Sequence, residues 1–270
     1  MNLRKVLFIL PNLFTLSSIF CGFYAAVLCL GGRDGAQPTG DDFNRAALLI
    51  IFAGFFDAMD GRVARLTKTQ SAFGVQIDSL ADLSSFGVAP ALLVYRWSLY
   101  SLGSLGLAAS FGFLACAAIR LARFNVLAMN ESGAPKKAGG FFSGLPTPGA
   151  AGIVVSLILA DHALSGRLPG PSSPLPVLAG VGGISLLMVS NIPFRTFKNA
   201  KSGPRTFAFI TLALGSATLV GLVFHPSFAL VWLLGCYVVM GVLEGTLGLS
   251  RRVTRRGARA DLEQPERDSE

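Results

Sequence analysis

Histidine is close to absent from this chain, with two residues in 270, and cysteine is scarce, with four. His162 and His225 stand alone near the ends of apolar segments, and two isolated histidines do not assemble a catalytic or metal-binding group. Cys21, Cys29, Cys116 and Cys236 all lie in apolar stretches with no C-x-x-C pair, so they read as small buried hydrophobes rather than as disulfides or metal ligands. Charge is also thin. Charged residues make up 14% of the chain, whereas soluble domains carry about 25%. That shortfall, with 52% hydrophobic residues and a mean hydropathy of +0.58, excludes an ordinary soluble domain. No internal repeat of fixed period is present.

Apolar runs long enough to cross a bilayer recur along the whole chain. The first, Val6 to Leu30, is too long for a simple cleavable signal and is followed by further runs. Eight spans are expected, at 8–30, 44–66, 73–99, 103–128, 147–165, 175–193, 206–224 and 227–248, with glycine and proline between them at Gly31-Gly32, Gly133 to Pro135, Pro169 to Pro176 and His225-Pro226. The expected fold is therefore an all-α integral membrane bundle of about eight transmembrane helices. The net charge of +8 then reflects topology rather than nucleic acid. With the N-terminus in the cytoplasm, nineteen of the 23 basic residues fall on the inner side, and only Arg33, Arg45, Arg96 and Arg167 fall outside. Both termini are thus expected to be cytoplasmic. Residues 1–250 read as one transmembrane domain. Residues 251–270 read as a disordered cytoplasmic tail, basic at Arg251, Arg252, Arg255, Arg256 and Arg259 and then polar.

Against this background the acids are informative. Asp57, Asp60, Asp78, Asp82 and Glu244 fall within expected spans, away from the outer surface. A charge at mid-helix costs roughly 2.5–3.5 kcal/mol on insertion scales, so four aspartates on two neighbouring spans need a function. Pairing with Arg62 or Arg65 alone is a weaker explanation. Asp57 and Asp60 are three apart and Asp78 and Asp82 four apart, so each pair shares a helix face. A turn around Lys68 to Ala72 makes the two helices antiparallel and brings the pairs face to face near the cytoplasmic surface. Crowded carboxylates without histidine or cysteine suit Mg²⁺ or Mn²⁺, and two such ions serve displacement at phosphorus. Gly61 and Gly74 permit close approach of a ligand, and Arg65 can neutralise a phosphate.

Together these residues read Asp57-x-x-Asp60-Gly61-x-x-Ala64-Arg65, then eight residues, then Gly74-x-x-x-Asp78-x-x-x-Asp82. The pattern resembles the complete signature of the CDP-alcohol phosphotransferase family. The resemblance implies that Asp57, Asp60 and Asp78 hold metal, with Asp82 beside them as general base and further ligand. It implies that Gly61, Arg65 and Gly74 line a CDP-lipid pocket together with Asp57. Pro11-Asn12-Leu13-Phe14-Thr15 is similar to the family's Asn-x-x-Thr element, which adds Asn12 and Thr15 to the nucleotide site. Read alone, that pair serves equally as interhelical hydrogen bonders.

Three further stretches resemble the membrane-type phosphatidylserine synthase branch: Ile119 to Asn125, Phe142 to Ala151 and Leu187 to Pro193. With the signature, the likeness covers most of residues 10 to 200. It implies CDP-diacylglycerol and L-serine as substrates, membrane lipids as surroundings, an inner-membrane location and a homodimer. Arg120, Arg123 and Asn125 are then candidates for binding serine, since a preorganised guanidinium suits a carboxylate. Snorkelling is the competing reading for the arginines, and helix capping for Asn125. Other acceptors of the same family, namely glycerol 3-phosphate, inositol or its phosphate, and choline, remain open because Arg195, Lys198, Lys201 and Arg205 form a basic loop. A covalent route through a His-x-Lys nucleophile is excluded, since neither histidine has lysine two residues on. An ion transporter would place its acids near the bilayer centre with access from both sides, whereas these gather toward one face.

Overall fold

A computed structural model describes residues 3–31, 37–67, 72–128, 141–166, 173–195, 204–223 and 225–243. The 251–270 tail, Glu244, Lys198 and Lys201 lie outside the described residues, as do the side chains of Arg65, Arg195 and Arg205.

The helices are α1 (Leu3–Cys29), α2 (Gly40–Leu66), α3 (Ala72–Leu83), α4 (Ala89–Trp97), α5 (Ser104–Ala128), α6 (Thr147–Ala163), α7 (Pro174–Val189), α8 (Pro204–Val223) and α9 (Pro226–Leu243). Within the described residues, each expected span overlaps at least one of these helices. Among the described residues, four stretches are long and apolar enough to cross a membrane: Asn12–Cys29, Phe73–Trp97, Ser104–Leu127 and Pro226–Leu243. The long helix α2, with 27 residues, falls outside that group because of its charges, which include Asp57, Asp60, Arg62 and Arg65. Helices α6 and α7 have 17 and 16 residues, about 25 Å of rise against roughly 30 Å of hydrocarbon. Large apolar side chains face outward along the bundle, among them Phe20, Phe23, Phe111, Leu212 and Leu222, as expected of a surface solvated by lipid.

Two features depart from the sequence expectation. The third span is not one regular helix. A π-helical turn, Ser84–Val88, joins α3 to α4, with the Ala89 N–H bonded to the Ser84 carbonyl. Pro90 stands in the first turn of α4 and has no N–H to offer a preceding carbonyl, which favours a change of register just before it. The turn is pressed against α1. A Cβ on Gly22 would come within 2.8 Å of the Ser85 Cα, and the Ser85 hydroxyl donates to the Ser18 carbonyl at 2.9 Å. Second, the sixth span ends at Val189 rather than 193. Residues Pro193–Arg195 (β2) instead pair antiparallel with Phe141–Ser143 (β1). Apart from this ribbon of three residues per strand, the described residues form helices and their connections.

Small residues line the central contacts. Ala25, Ala46, Ala47, Ala53, Cys21 and Cys29 are buried, and α1 packs along α2 more extensively than any other pair of described elements. Small side chains let membrane helices approach closely. The cysteines are free, as the sequence implied.

Hydrogen bonds sort the bundle into two ends. At one end Arg96 Nε donates to the Cys29 carbonyl, Arg96 Nη2 to Gln37, Trp97 Nε1 to Asp161, and His162 lies 3.9 Å from Asp41. An apolar cavity of about 340 Å³ between α4, α6 and α7 borders this end at Trp97, and no acid lines it. The other end carries the ribbon, the end of α2 and the start of α3.

Candidate metal centre

Helix α2 starts from a reciprocal cap. The Thr39 N–H and hydroxyl both donate to Asp42, and the Asp42 N–H returns a bond to the Thr39 hydroxyl. From there α2 runs unbroken to Leu66, which carries Asp57 and Asp60 to its far end. The chain reverses and α3 begins at Ala72, placing Asp78 one turn beyond Gly74. Carboxylate oxygens of Asp57, Asp60 and Asp78 all lie within 4.8 Å of one another. At an effective dielectric of about 20, two like charges at that distance repel by roughly 3 kcal/mol. A hard divalent cation bound by oxygen ligands relieves this. The donor set therefore fits Mg²⁺ or Mn²⁺ and lacks the soft ligands of a zinc or copper site.

Asp82 stands beside the triad, with Asp57, Asp78 and Arg120 as its charged neighbours. Its Oδ1 is buried and has no hydrogen-bond partner among the described residues. An orphaned buried acceptor of this kind costs about 1–3 kcal/mol and marks a place for a ligand's donor or a cation.

The other expected site residues distribute as follows. Thr15 on α1 donates its hydroxyl to Asp60 Oδ2 at 2.7 Å, so it orients one acid of the triad. Asn12 is one turn earlier on α1 and half-buried. Gly61 is exposed, and beyond its own stretch of helix no described residue comes within 4 Å of where a Cβ would stand, leaving open space next to Asp60. Arg120 on α5 reaches this group through Asp82, and its Nη1 donates to Thr147 Oγ1 at 2.9 Å. Arg123 is exposed and bonded to Asn191 at 2.6 Å. Asn125 exchanges hydrogen bonds with Ser79, the residue after Asp78, and so ties α3 to α5 at the level of the acids.

Thr147, Ser79, Asn191 and Tyr237, the last an electrostatic neighbour of Arg120, were not singled out by sequence reasoning. Thr147 and Asn191 do fall inside two of the stretches that carried the likeness. Asp161, buried on the opposite end, was also passed over.

Fold and site together describe a helical bundle with several helices long and apolar enough to cross a membrane and, at one end, a cluster of aspartates able to hold a metal ion. The sequence matches the model of the CDP-alcohol phosphatidyltransferase family over residues 8–239, and the chain belongs to that family. It is 39% identical over 246 residues to the CDP-diacylglycerol–serine O-phosphatidyltransferase of Helicobacter pylori strain 26695, covering 88% of this chain and 91% of that protein. The protein of the same name from strain J99 gives the same figures. The Mycobacterium bovis protein of that name is 34% identical over 227 residues, covering 84% of this chain and 74% of the relative.

Proposed function

We propose that this protein transfers the phosphatidyl group of CDP-diacylglycerol to the hydroxyl of L-serine, giving phosphatidylserine and CMP. The observation that carries this reading is the convergence of Asp57, Asp60 and Asp78 beside Asp82, in a chain whose curated relatives bear the name of that reaction. The chain crosses the cell's inner membrane eight times as one domain of residues 1–250. Both ends and the basic 251–270 tail face the cytoplasm, and two copies form a homodimer. The positive-inside count supports that orientation.

Asp57, Asp60 and Asp78, with Asp82 as a further ligand, would hold two Mg²⁺ or Mn²⁺ ions. When bound, such ions supply charge neutralisation for the pyrophosphate. Asn12, Thr15, Gly61, Arg65 and Gly74 shape the CDP site, where the open space beside Gly61 admits the nucleotide closely and Arg65 offsets phosphate charge. CDP-diacylglycerol enters laterally from the inner leaflet. Serine arrives from the cytoplasm, its carboxylate directed toward Arg120, with Arg123 and Asn125 bounding the acceptor side. Asp82 takes the hydroxyl proton. The serine oxygen then forms its bond to the lipid-bearing phosphorus as the bond to CMP breaks in line, and CMP leaves with the electron pair.

The test is CMP release by purified protein in detergent with CDP-diacylglycerol and Mg²⁺ or Mn²⁺, comparing L-serine with glycerol 3-phosphate, inositol and choline. Release that requires both serine and metal is expected. Release with another alcohol alone would retain the reaction class and overturn serine as acceptor. Absence of release with any alcohol, from folded protein, would overturn the whole reading.

A further inference from the structure

The segment from Phe142 to Ala151 lies outside the aspartate signature, yet the structure brings its threonine to the site. Thr147 is the first residue of α6 and is completely buried. Its hydroxyl accepts a 2.9 Å hydrogen bond from Arg120 Nη1, across 27 residues of chain. The backbone leading into it is held firmly. The Gly144 N–H donates to the Ile192 carbonyl at 2.9 Å and the Leu145 N–H to the Leu187 carbonyl at 3.0 Å. Gly144 has φ +84° and passes so close to α7 that a Cβ there would overlap the Met188 carbonyl oxygen. Pro146 and Pro148 flank Thr147 and restrict the turn further. Thr147 is thus a fixed point, braced by the end of α7.

Arg120 is the group that such a fixed point would serve. An arginine side chain has many rotamers, so an untethered guanidinium is a poor template for a small substrate. Here one nitrogen is tied to Thr147. Among the described residues the buried Arg120 Nε has no hydrogen-bond partner, and neither does the buried Oδ1 of neighbouring Asp82. An unmet cationic donor and an unmet acceptor on two residues that feel each other's charge match a small acceptor that carries an anionic group and a hydroxyl.

Resting on the serine-transfer reading above, we infer that Thr147 is a positioning residue for the acceptor: it locks the Arg120 guanidinium in place beside Asp82 and so sets affinity for the acceptor rather than for the CDP-lipid. A hydrogen bond to a charged group contributes more than a neutral one, about 1.5–3 kcal/mol, so its loss corresponds to roughly a tenfold or larger change in acceptor affinity.

The experiment measures kcat and both KM values for CMP release by the full chain in detergent, for the wild type, Thr147→Val, Thr147→Ser, Arg120→Lys and the Thr147→Val/Arg120→Lys pair. Thr147→Val keeps the shape and removes the hydroxyl. It should raise the serine KM about tenfold or more, with the CDP-diacylglycerol KM within about twofold of wild type. Thr147→Ser should recover most of the loss. In the Arg120→Lys background the valine change should add little, because the two residues act through one contact. A serine KM unchanged in Thr147→Val, an equal rise in both KM values, a fall in kcat alone, or full additivity in the double variant would each overturn the inference. If Thr147→Val does not fold, Thr147→Ala is judged by the same criteria. If the wild type turns over a different alcohol instead of serine, the serine reading falls while Thr147 is judged on that alcohol: a selective rise in its KM retains the positioning role, and an unchanged KM removes it.

Discussion

Asp60 and Asp161 are equally buried, each 5% exposed, and each accepts a hydrogen bond from a neutral donor on another helix. Thr15 serves Asp60 at 2.7 Å and Trp97 serves Asp161 at 3.1 Å. They differ in company. Asp60 shares its space with Asp57 and Asp78, whose oxygens lie within 4.8 Å, while among the described residues Asp161 belongs to no such group. At one end of the bundle an acid joins α4 to α6 through an indole. At the other, acids are gathered where each makes its neighbours costlier. Burial of an acid in a membrane protein is therefore not by itself a mark of chemistry. The mark is a set of like charges held together within a few ångströms of one another.

The sharpest way to break this comparison is to remove one member of each kind. Asp78→Asn takes a ligand from the triad and should lower CMP release by about 10³-fold, the equivalent of about 4 kcal/mol of transition-state stabilisation. Thermal unfolding measured without metal should not be lowered, because one source of like-charge repulsion is gone. Chelation of the wild type should abolish release as fully, and added Mg²⁺ or Mn²⁺ should restore it there but not in the variant. An Asp78→Asn protein with more than a tenth of normal turnover would remove the distinction between the two ends.

Asp161→Leu provides the contrast. It leaves the Trp97 indole N–H buried without its acceptor, a loss of about 1–3 kcal/mol in stability. Turnover per folded molecule should stay within about twofold of wild type, since Trp97 and Asp161 belong to the opposite end of the bundle from the acid triad. Thermal melting and CMP release on the same preparation check both halves. A large fall in turnover with unchanged melting would mean that the two ends are coupled.

What was legible beforehand follows the same division. The four aspartates could be placed because their information is local: spacings of three and four on helices identified by hydropathy, joined by a short turn. Thr15 was singled out too, though its hydroxyl is engaged with Asp60. What could not be read depends on distant pairings. The Arg120–Thr147 and Trp97–Asp161 bonds join residues 27 and 64 apart, and nothing near Thr147 in sequence announces an arginine. The π-turn at Ser84–Val88 needs both Pro90 and the close passage of Gly22 against Ser85, and only the proline is visible locally. The 141–143 and 193–195 ribbon closes the acid-bearing end of the bundle by pairing segments on either side of α6 and α7. The sequence expectation carries the sixth span to 193, whereas the helix ends at Val189 because the residues that follow pair with the distant Phe141–Ser143, which local apolarity does not reveal.

The smallest effect concerns how α2 is set to deliver Asp57 and Asp60. Thr39 and Asp42 form a reciprocal cap at its start, about four turns from the acids. Hydrogen bonds from the Thr39 backbone and hydroxyl hold the Asp42 carboxyl below its ordinary range. A depressed carboxylate contributes stability above its unfolded pKa and loses it as pH falls through the folded value, so this contribution is intact at neutral pH and fades only in acid. Thr39→Ala removes the hydroxyl from both directions of the cap and should cost about 1 kcal/mol. The cost should be largest at neutral pH and shrink below the ordinary carboxylate range. CMP release at neutral pH should be unchanged, because the aspartates are held at their own end by Thr15 and by the Ser79–Asn125 bond. Melting curves of the variant and wild type across an acid series check the sign, and a difference that grew as pH fell would show that Asp42 is not held by Thr39 in the way the hydrogen bonds describe.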